Sequence, residues 1–206
     1  MASEQCTARV DAMRDDYLDQ LEAIHPEDLI FIDETGTNQA MTSLYAKSPK
    51  GQRIYESRPV KRGRLYTVIG AIVLGGMLTT MTVEGGTTTE VFHAFVEHLL
   101  CPHLRDGHVV VLDRLPAHRN LQIRAMIEKT GATVLFLPPY SPELNPIELA
   151  WSKIKNIIRK MKPRSMTDID RAVAVALPKV SREDSIGWFE HCGINTRDSD
   201  GMHHNL

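Results

Sequence analysis

The chain has 206 residues, of which 42% are hydrophobic and 24% charged, and its formal net charge is −2. These proportions suit one compact domain with a good core. The longest apolar run, residues 66–78, is interrupted by glycines and is too short for a membrane span, so we expect no membrane partner. The acidic amino terminus does not look like a signal peptide, and three scattered cysteines argue against a zinc site or a disulfide framework.

In the first half of the chain, apolar periodicity and turn residues predict a helix, a strand and a hairpin. A wholly apolar run followed by an acid indicates a strand that is covered on both faces. Residues 35–64 show no clear period, so we expect a long loop with a short strand around Arg53–Tyr55. The predicted elements are a helix over residues 7–24, a strand over Leu29–Asp33, and hairpin strands over Tyr66–Leu74 and Leu78–Val83.

In the second half of the chain, helices alternate with two short strands. Gly131 stops one of these helices and Pro163 closes the longest one. This order predicts an α/β fold, a mixed sheet flanked by helices on both sides. The predicted elements are a helix over Thr87–Leu100, strands over Val109–Leu112 and Thr133–Leu137, and helices over Asn120–Lys129, Asn145–Met161, Thr167–Leu177 and Ser181–His191.

The near-neutral net charge hides an uneven distribution of charged residues. Residues 1–34 carry ten acids against two arginines. Residues 47–64 carry seven basic residues and one acid, and residues 153–164 carry six basic residues and no acid. Two basic blocks on such a chain indicate a local surface that binds a polyanion. Each block alone is equally well explained as a solvated face.

Three carboxylates stand where a predicted strand ends or a predicted helix begins. Asp33 and Asp113 each follow an apolar strand, and Glu148 lies in the first turn of the longest helix. Parallel strands of an α/β sheet end at one edge, where two close carboxylates repel unless a cation holds them. Three acids could hold two Mg²⁺ ions about 3.5–4 Å apart. The pattern therefore favours metal-dependent phosphoryl transfer.

Each acid also has a purely structural explanation. An aspartate after a strand often forms a turn or caps a helix. In the run from Asn145 to Glu148, the asparagine would be the N-cap and the glutamate the acid of a capping box, with Pro146 between them. Spacing alone favours this capping role for Glu148 over metal binding.

Three segments together closely resemble DDE transposases, in the bacterial insertion-sequence branch related to the mariner elements. The resemblance covers roughly residues 27–165 and rests above all on the last of the three segments, which is long and rare. The segments are DETG at 33–36, VLDRLPAH at 111–118 and FLPPYSPELNPIELAWSKIK at 136–155.

This resemblance implies a ribonuclease-H-like fold and DNA strand cleavage and transfer with two Mg²⁺ ions, for which Mn²⁺ could substitute. The catalytic and metal-binding residues would be Asp33, Asp113 and Glu148. The implied partners are DNA, at transposon ends and at the target, and a second copy of the chain on that DNA. A separately encoded helix-turn-helix partner could read the DNA, because only one acidic helix precedes Asp33. The expected location is the cytoplasm, in association with the nucleoid.

The resemblance also suggests how the chain is divided and where DNA lies. We expect a linker helix over 1–26, a catalytic domain over 27–165 and a helical extension over 166–206. Basic side chains near the motifs are candidate contacts to phosphate, which position DNA without reading its sequence. The candidate DNA contacts are Lys61, Arg62, Arg64, Arg114, His118, Lys153, Lys155 and Arg159.

Two of these candidates have competing explanations. Arg114 replaces the asparagine usual in similar enzymes, and it could pair with phosphate, oppose a cation or point to solvent. His118 could equally begin a helix. Two other functions therefore stay open: a transposase remnant that only binds DNA, and a stand-alone ribonuclease-H-like nuclease.

Overall fold

The structure, a computed structural model, describes residues 8–43, 45, 47–55, 59–61 and 63–196. Its strands are β1 (Leu29–Asn38), β2 (Leu65–Val73), β3 (Gly76–Glu84), β4 (Val109–Leu112) and β5 (Thr133–Phe136). They form one sheet in the order β3-β2-β1-β4-β5. β2 pairs antiparallel with both β1 and β3, whereas β1, β4 and β5 run parallel to one another. The predicted mixed sheet is confirmed.

Helices cover both faces of this sheet, as predicted. A π-helical turn continues the second helix, so the predicted long helix before β4 is nearly continuous. Within the described ranges, no helix is long and apolar enough to cross a membrane. The helices are α1 (Ala8–Glu22), α2 (Thr89–Phe95), α3 (Leu121–Glu128), α4 (Pro146–Met161), α5 (Met166–Ala176) and α6 (Arg182–His191).

The predicted loop after β1 begins too early. β1 continues to Asn38 because residues 34–38 pair antiparallel with residues 65–69 of β2. The polar but buried Thr35 and Thr37 occupy this second half, so an apolar run could not reveal it. The predicted short strand around Arg53–Tyr55 is wrong, since residues 52–55 have no regular structure.

Alternating side chains of β1 divide the protein into two apolar cores. Leu29 and Phe31 pack with residues of α1, α4, α5 and α6. Ile30 and Ile32 pack with residues of α2 and α3 on the opposite face. The flanking helices α1, α5 and α6 thus share one core with α4. The predicted division of the chain at residues 26 and 165 stays a prediction.

The sequence of β2 allows α4 to approach the sheet closely. Gly70 is the cross-strand neighbour of Asp33. A Cβ on Gly70 would lie 2.6 Å from Cη2 of the buried Trp151. Because Glu148 lies one turn before Trp151, this contact fixes the start of α4 near Asp33 in the middle of β1. The predicted core stripe of α4 is confirmed, with burial of Ile147, Trp151, Ile154 and Ile158.

Candidate active site

The three predicted acids line one cavity of about 410 Å³, between the middle of β1, the carboxyl end of β4 and the start of α4. β1 and β4 pair in parallel up to Phe31 and Val111, so Asp33 and Asp113 each lie two residues beyond the last pair. Glu148 reaches the cavity from the first turn of α4. The rest of its wall includes Arg114, Asn145 and the segment 137–142.

The surroundings of Asp33 make its carboxyl group hard to ionise. Burial, followed by the nearby Glu148 carboxylate, raises the pKa of Asp33 to about 7. Glu34 and Asp113 add smaller electrostatic effects in the same direction. A carboxylate that is this hard to ionise lacks a positive partner, which a bound cation would supply.

Asp113 is held in one orientation by two hydrogen bonds to the same oxygen. Its Oδ1 accepts from the backbone N–H of Leu115 at 2.9 Å and contacts Nδ1 of His118 at 2.5 Å. Burial acts to raise the pKa of Asp113, but these bonds outweigh it and keep that pKa below its usual value. Asp113 is therefore an oriented carboxylate anion, and its second oxygen has no hydrogen-bond partner in the described part of the chain.

His118 connects Asp113 to an acid on the other face of the sheet. Its side chain is completely buried, its Nε2 lies 3.0 Å from Oε1 of Glu34, and its ring lies 4.2 Å from that of Phe92. Burial acts to lower the pKa of His118, but hydrogen bonds to Asp113 and Glu34 raise it to about 9. An imidazolium thus bridges two carboxylates. The predicted contact of His118 with DNA is wrong, because a fully buried ring cannot reach a phosphate.

The acids of the cavity do not already form a closed metal cluster. Among the described residues, no three histidine, cysteine, aspartate or glutamate side chains are close enough to hold one ion. Like charges separate when nothing lies between them, and Asp113 is already engaged by His118. The donor set nevertheless fits a hard divalent cation: it consists of oxygens, and it includes an acid with a raised pKa.

The capping explanation of Glu148 is not supported by the geometry. The side chain of Asn145 makes no capping hydrogen bond to α4. A capping box would also need the backbone N–H of Asn145 for Glu148, but that N–H donates to the carbonyl of Pro142 at 3.1 Å. The Glu148 carboxylate is therefore available to the cavity.

Arg114 is anchored beside the cavity. Its Nε donates to the carbonyl oxygen of Leu137 at 3.1 Å, and its guanidinium lies 5.9 Å from the centroid of the Phe136 ring. These contacts hold Arg114 along the end of β5 at the rim of the acidic cavity, although the residue remains exposed, and its contact with DNA stays a prediction.

The remaining candidate DNA contacts differ in whether their charge is already paired with an acid. Lys153 contacts Asp184, which belongs to the capping box of α6, so it joins α4 to α6. Arg64 forms a bidentate pair with Glu84 at 2.7 and 3.0 Å, although it remains exposed. Lys61 is exposed, and Arg62 lies outside the described residues.

Lys155 and Arg159 lie on α4 and are half-buried. Arg159 Nη1 donates to Oδ1 of Asn156 at 3.1 Å. Neither residue forms an ion pair with an acid in the described ranges, so both keep a charge that a phosphate could use. Their contact with DNA stays a prediction.

The chain matches the model of a known protein family. A family model described as "DDE superfamily endonuclease" matches residues 28–170, which contain all three acids. No curated protein matches the chain.

Solved structures with a similar fold include several of the Mos1 transposase. A pre-cleavage Mos1 transpososome has a TM-score of 0.74 at 14% identity, covering 97% of this chain and 65% of that one. A mariner Mos1 paired-end complex with Mg has a TM-score of 0.69 at 15% identity, covering 98% and 65%.

The Mos1 transposase catalytic domain, with Raltegravir and Mg, has a TM-score of 0.68 at 13% identity, covering 100% and 99%. The chain therefore spans less than two thirds of the first of these proteins but nearly all of the isolated catalytic domain. At these identities the likeness shows the fold alone, and it confirms the predicted ribonuclease-H-like architecture.

Proposed function

The chain belongs to the DDE superfamily endonucleases, and from this we propose that it is the catalytic part of a transposase. Its reaction is metal-dependent hydrolysis at a transposon end, followed by attack of the freed 3′-hydroxyl on target DNA. The observation that carries this proposal is the cavity that Asp33, Asp113 and Glu148 line together where β1 and β4 stop pairing.

Asp33, Asp113 and Glu148 hold two Mg²⁺ ions in this proposal, and Mn²⁺ can substitute. When bound, such ions make the attacking oxygen a better nucleophile and stabilise the leaving oxygen. The pKa of Asp33 is raised to about 7 by burial and by neighbouring acids, and a bound cation would favour its ionised form. His118 and Leu115 keep Asp113 ionised and fix its orientation.

Basic residues around the cavity position the DNA. Arg114 stands at the rim, where it pairs with a phosphate next to the cleaved bond. The other proposed phosphate contacts are Lys61, Arg62, Arg64, Lys155 and Arg159, whereas Lys153 is already paired with Asp184. Contacts of this kind contribute affinity and salt dependence rather than sequence specificity.

The proposed partners are transposon-end and target DNA, a second copy of the chain on that DNA, and a separately encoded helix-turn-helix protein. Mos1 offers a precedent in its printed descriptions, which name a paired-end complex and a strand transfer complex. Location at the nucleoid follows from the proposed DNA partner.

Nicking of supercoiled plasmid DNA in Mn²⁺ or Mg²⁺ tests the proposal. Asp113→Asn should lower the nicking rate at least about 100-fold, because metal ions contribute several kcal/mol to such transition states. Binding of the same DNA, measured by fluorescence anisotropy, should be nearly unchanged. Asp170→Asn is the matched control, because Asp170 is an exposed aspartate on α5, and it should leave both measurements unchanged.

Other outcomes identify the rival functions. Retained nicking by Asp113→Asn contradicts the assignment of the site. DNA binding by the wild-type chain with no metal-dependent nicking identifies a remnant that only binds DNA. Cleavage of branched DNA that needs no terminal repeats identifies a stand-alone nuclease.

A further inference from the structure

Asn145 precedes α4 at the N-cap position, but its side chain does not cap the helix. Its backbone is fully used, because its N–H donates to Pro142 and its carbonyl accepts from Glu148 N–H at 3.2 Å. Its side chain makes no capping bond, although asparagine is one of the best capping residues. The residue type at this position is therefore not explained by the helix.

The side chain of Asn145 is buried and leaves a polar atom without a partner. The residue is only 4% exposed, and its Oδ1 has no hydrogen-bond partner in the described part of the chain. A buried carbonyl oxygen without a donor destabilises the folded protein. Among the six unpartnered buried side-chain atoms in the described part of the chain, only Asn145 Oδ1 belongs to a residue that lines the cavity of the three acids.

The residues around the Asn145 side chain indicate which kind of ligand would bind it. Asn145 lines the same cavity as Asp33, Asp113 and Glu148, and Glu148 is its neighbour one turn along α4. A further carboxylate here would add to the repulsion between the acids, whereas an amide oxygen adds a ligand without adding charge. Carbonyl oxygens of asparagine are ordinary ligands of hard cations.

We propose that Asn145 Oδ1 is a neutral ligand to a divalent cation held in this cavity by Asp33 and Glu148. This inference rests on the proposed function, because that function brings the cation to the acids. It adds to the three acids a residue that the sequence pattern indicates as a helix cap.

Mn²⁺ binding measured by electron paramagnetic resonance tests this inference without any DNA or turnover. Asn145→Ala should weaken Mn²⁺ binding about tenfold or more, similar to the loss when residues around a metal site are removed. Asn145→Asp keeps the oxygen but loses the N–H₂ group, so it should retain or strengthen Mn²⁺ binding. If Asn145 acted instead as a hydrogen-bond donor, the aspartate variant would fail like the alanine variant.

Metal-free stability supplies the second measurement. Asn145→Ala removes an unpartnered buried atom, so its melting temperature without metal should equal or exceed that of the wild type. Asn120 is the matched control: it precedes α3 and its Oδ1 accepts from the N–H groups of Gln122 and Ile123 at 2.8 and 3.4 Å. Asn120→Ala should lower the melting temperature and leave Mn²⁺ binding unchanged.

The outcomes separate this inference from the proposed function. A wild-type chain that binds no Mn²⁺ at low millimolar concentration overturns the metal site itself. Normal Mn²⁺ binding by both Asn145 variants overturns the role of Asn145 alone. A metal-free Asn145→Ala variant that melts well below the wild type shows a structural role and also overturns the inference.

Discussion

Asp33 and Glu34 are adjacent acids of β1, yet the two faces of the sheet treat them in opposite ways. Asp33 lies on the α4 side, where Glu148 is its main charged neighbour and the pKa of Asp33 rises to about 7. Glu34 lies on the α2 side, where His118 contacts it at 3.0 Å. One carboxylate faces other acids in a cavity, and the other contacts a buried imidazolium.

This difference indicates that the Glu34 face has a structural role and that the Asp33 face has the role of binding a ligand. On the Glu34 face a cation is already present, because the ring of His118 contacts Glu34 and Asp113 with its two nitrogens, although Glu34 Oε2 has no hydrogen-bond partner among the described residues. The Asp33 face is incomplete, because acids accumulate there and Asn145 Oδ1 has no partner in the described ranges. Asp113 joins the two faces, with Oδ1 held from the Glu34 side.

Removing His118 should have the largest effect on stability, because its buried ring bridges the carboxylates of Glu34 and Asp113. His118→Ala leaves two carboxylates without their cation, and we expect the free energy of unfolding to fall by about 3–5 kcal/mol. Urea denaturation of the metal-free protein measures this loss. His108→Ala is the control, because His108 is a buried histidine that accepts one backbone hydrogen bond, and it should lose only about 1 kcal/mol.

The pH dependence of this loss separates charge from packing. The pKa of His118 is raised to about 9 in the folded chain, so its stabilising effect is fully present below about pH 6.5 and is lost as the pH rises through 9. The difference between wild type and His118→Ala should therefore shrink between pH 6 and pH 9.5. A difference that stays constant would mean that His118 acts only by filling space beside Phe92.

Neutralising Asp33 should change stability in the opposite direction. The raised pKa of Asp33 means that the folded state favours its protonated form, a contribution present below about pH 4 and lost as the pH rises through 7. Asp33→Asn removes that loss and should stabilise the metal-free protein by roughly 1–3 kcal/mol at pH 8, after allowance for partial exposure. Thermal denaturation at pH 4.5 and pH 8 measures it, and a variant less stable than wild type at pH 8 contradicts this picture.

The smallest effect is expected from the same chemical change one residue later. Glu34→Gln keeps an acceptor oxygen for His118 Nε2 but removes the charge, so it should destabilise the protein by roughly 1 kcal/mol. Mn²⁺ binding should be unchanged, since Glu34 lies on the other face from the cavity acids. Opposite signs for Asp33→Asn and Glu34→Gln at pH 8 would establish the difference between the faces, and equal signs would contradict it.

Much of this architecture could be read from the sequence because it depends on local patterns. Two wholly apolar runs ending in Asp33 and Asp113 predicted neighbouring parallel strands with acids after them. In the structure β1 and β4 pair in parallel, and Asp33 and Asp113 each lie two residues beyond the last pair. The proline at the start of α4 and its apolar stripe predicted both the bounds of that helix and its buried face.

The parts that escaped prediction depend on distant residues. Glu34 and His118 are 84 positions apart, so nothing local to either residue reveals their contact. Asn145 has the sequence signature of a cap, but the turn before it uses its N–H and its side chain enters the cavity wall instead. The second half of β1 was missed because its buried residues are threonines whose partners lie in β2.

One contact of α1 reaches the wall of the acidic cavity. Arg14 donates from Nε to Ser141 Oγ at 2.9 Å and from Nη2 to the carbonyl of Tyr140 at 3.0 Å, and it pairs with Glu143 at 2.9 Å. A rotation of α1 against the sheet must either break these three contacts or move Tyr140 and Ser141, which line the cavity. The position of α1 is therefore coupled to the mouth of the site by the guanidinium of Arg14 as well as by the apolar core that α1 shares with α4.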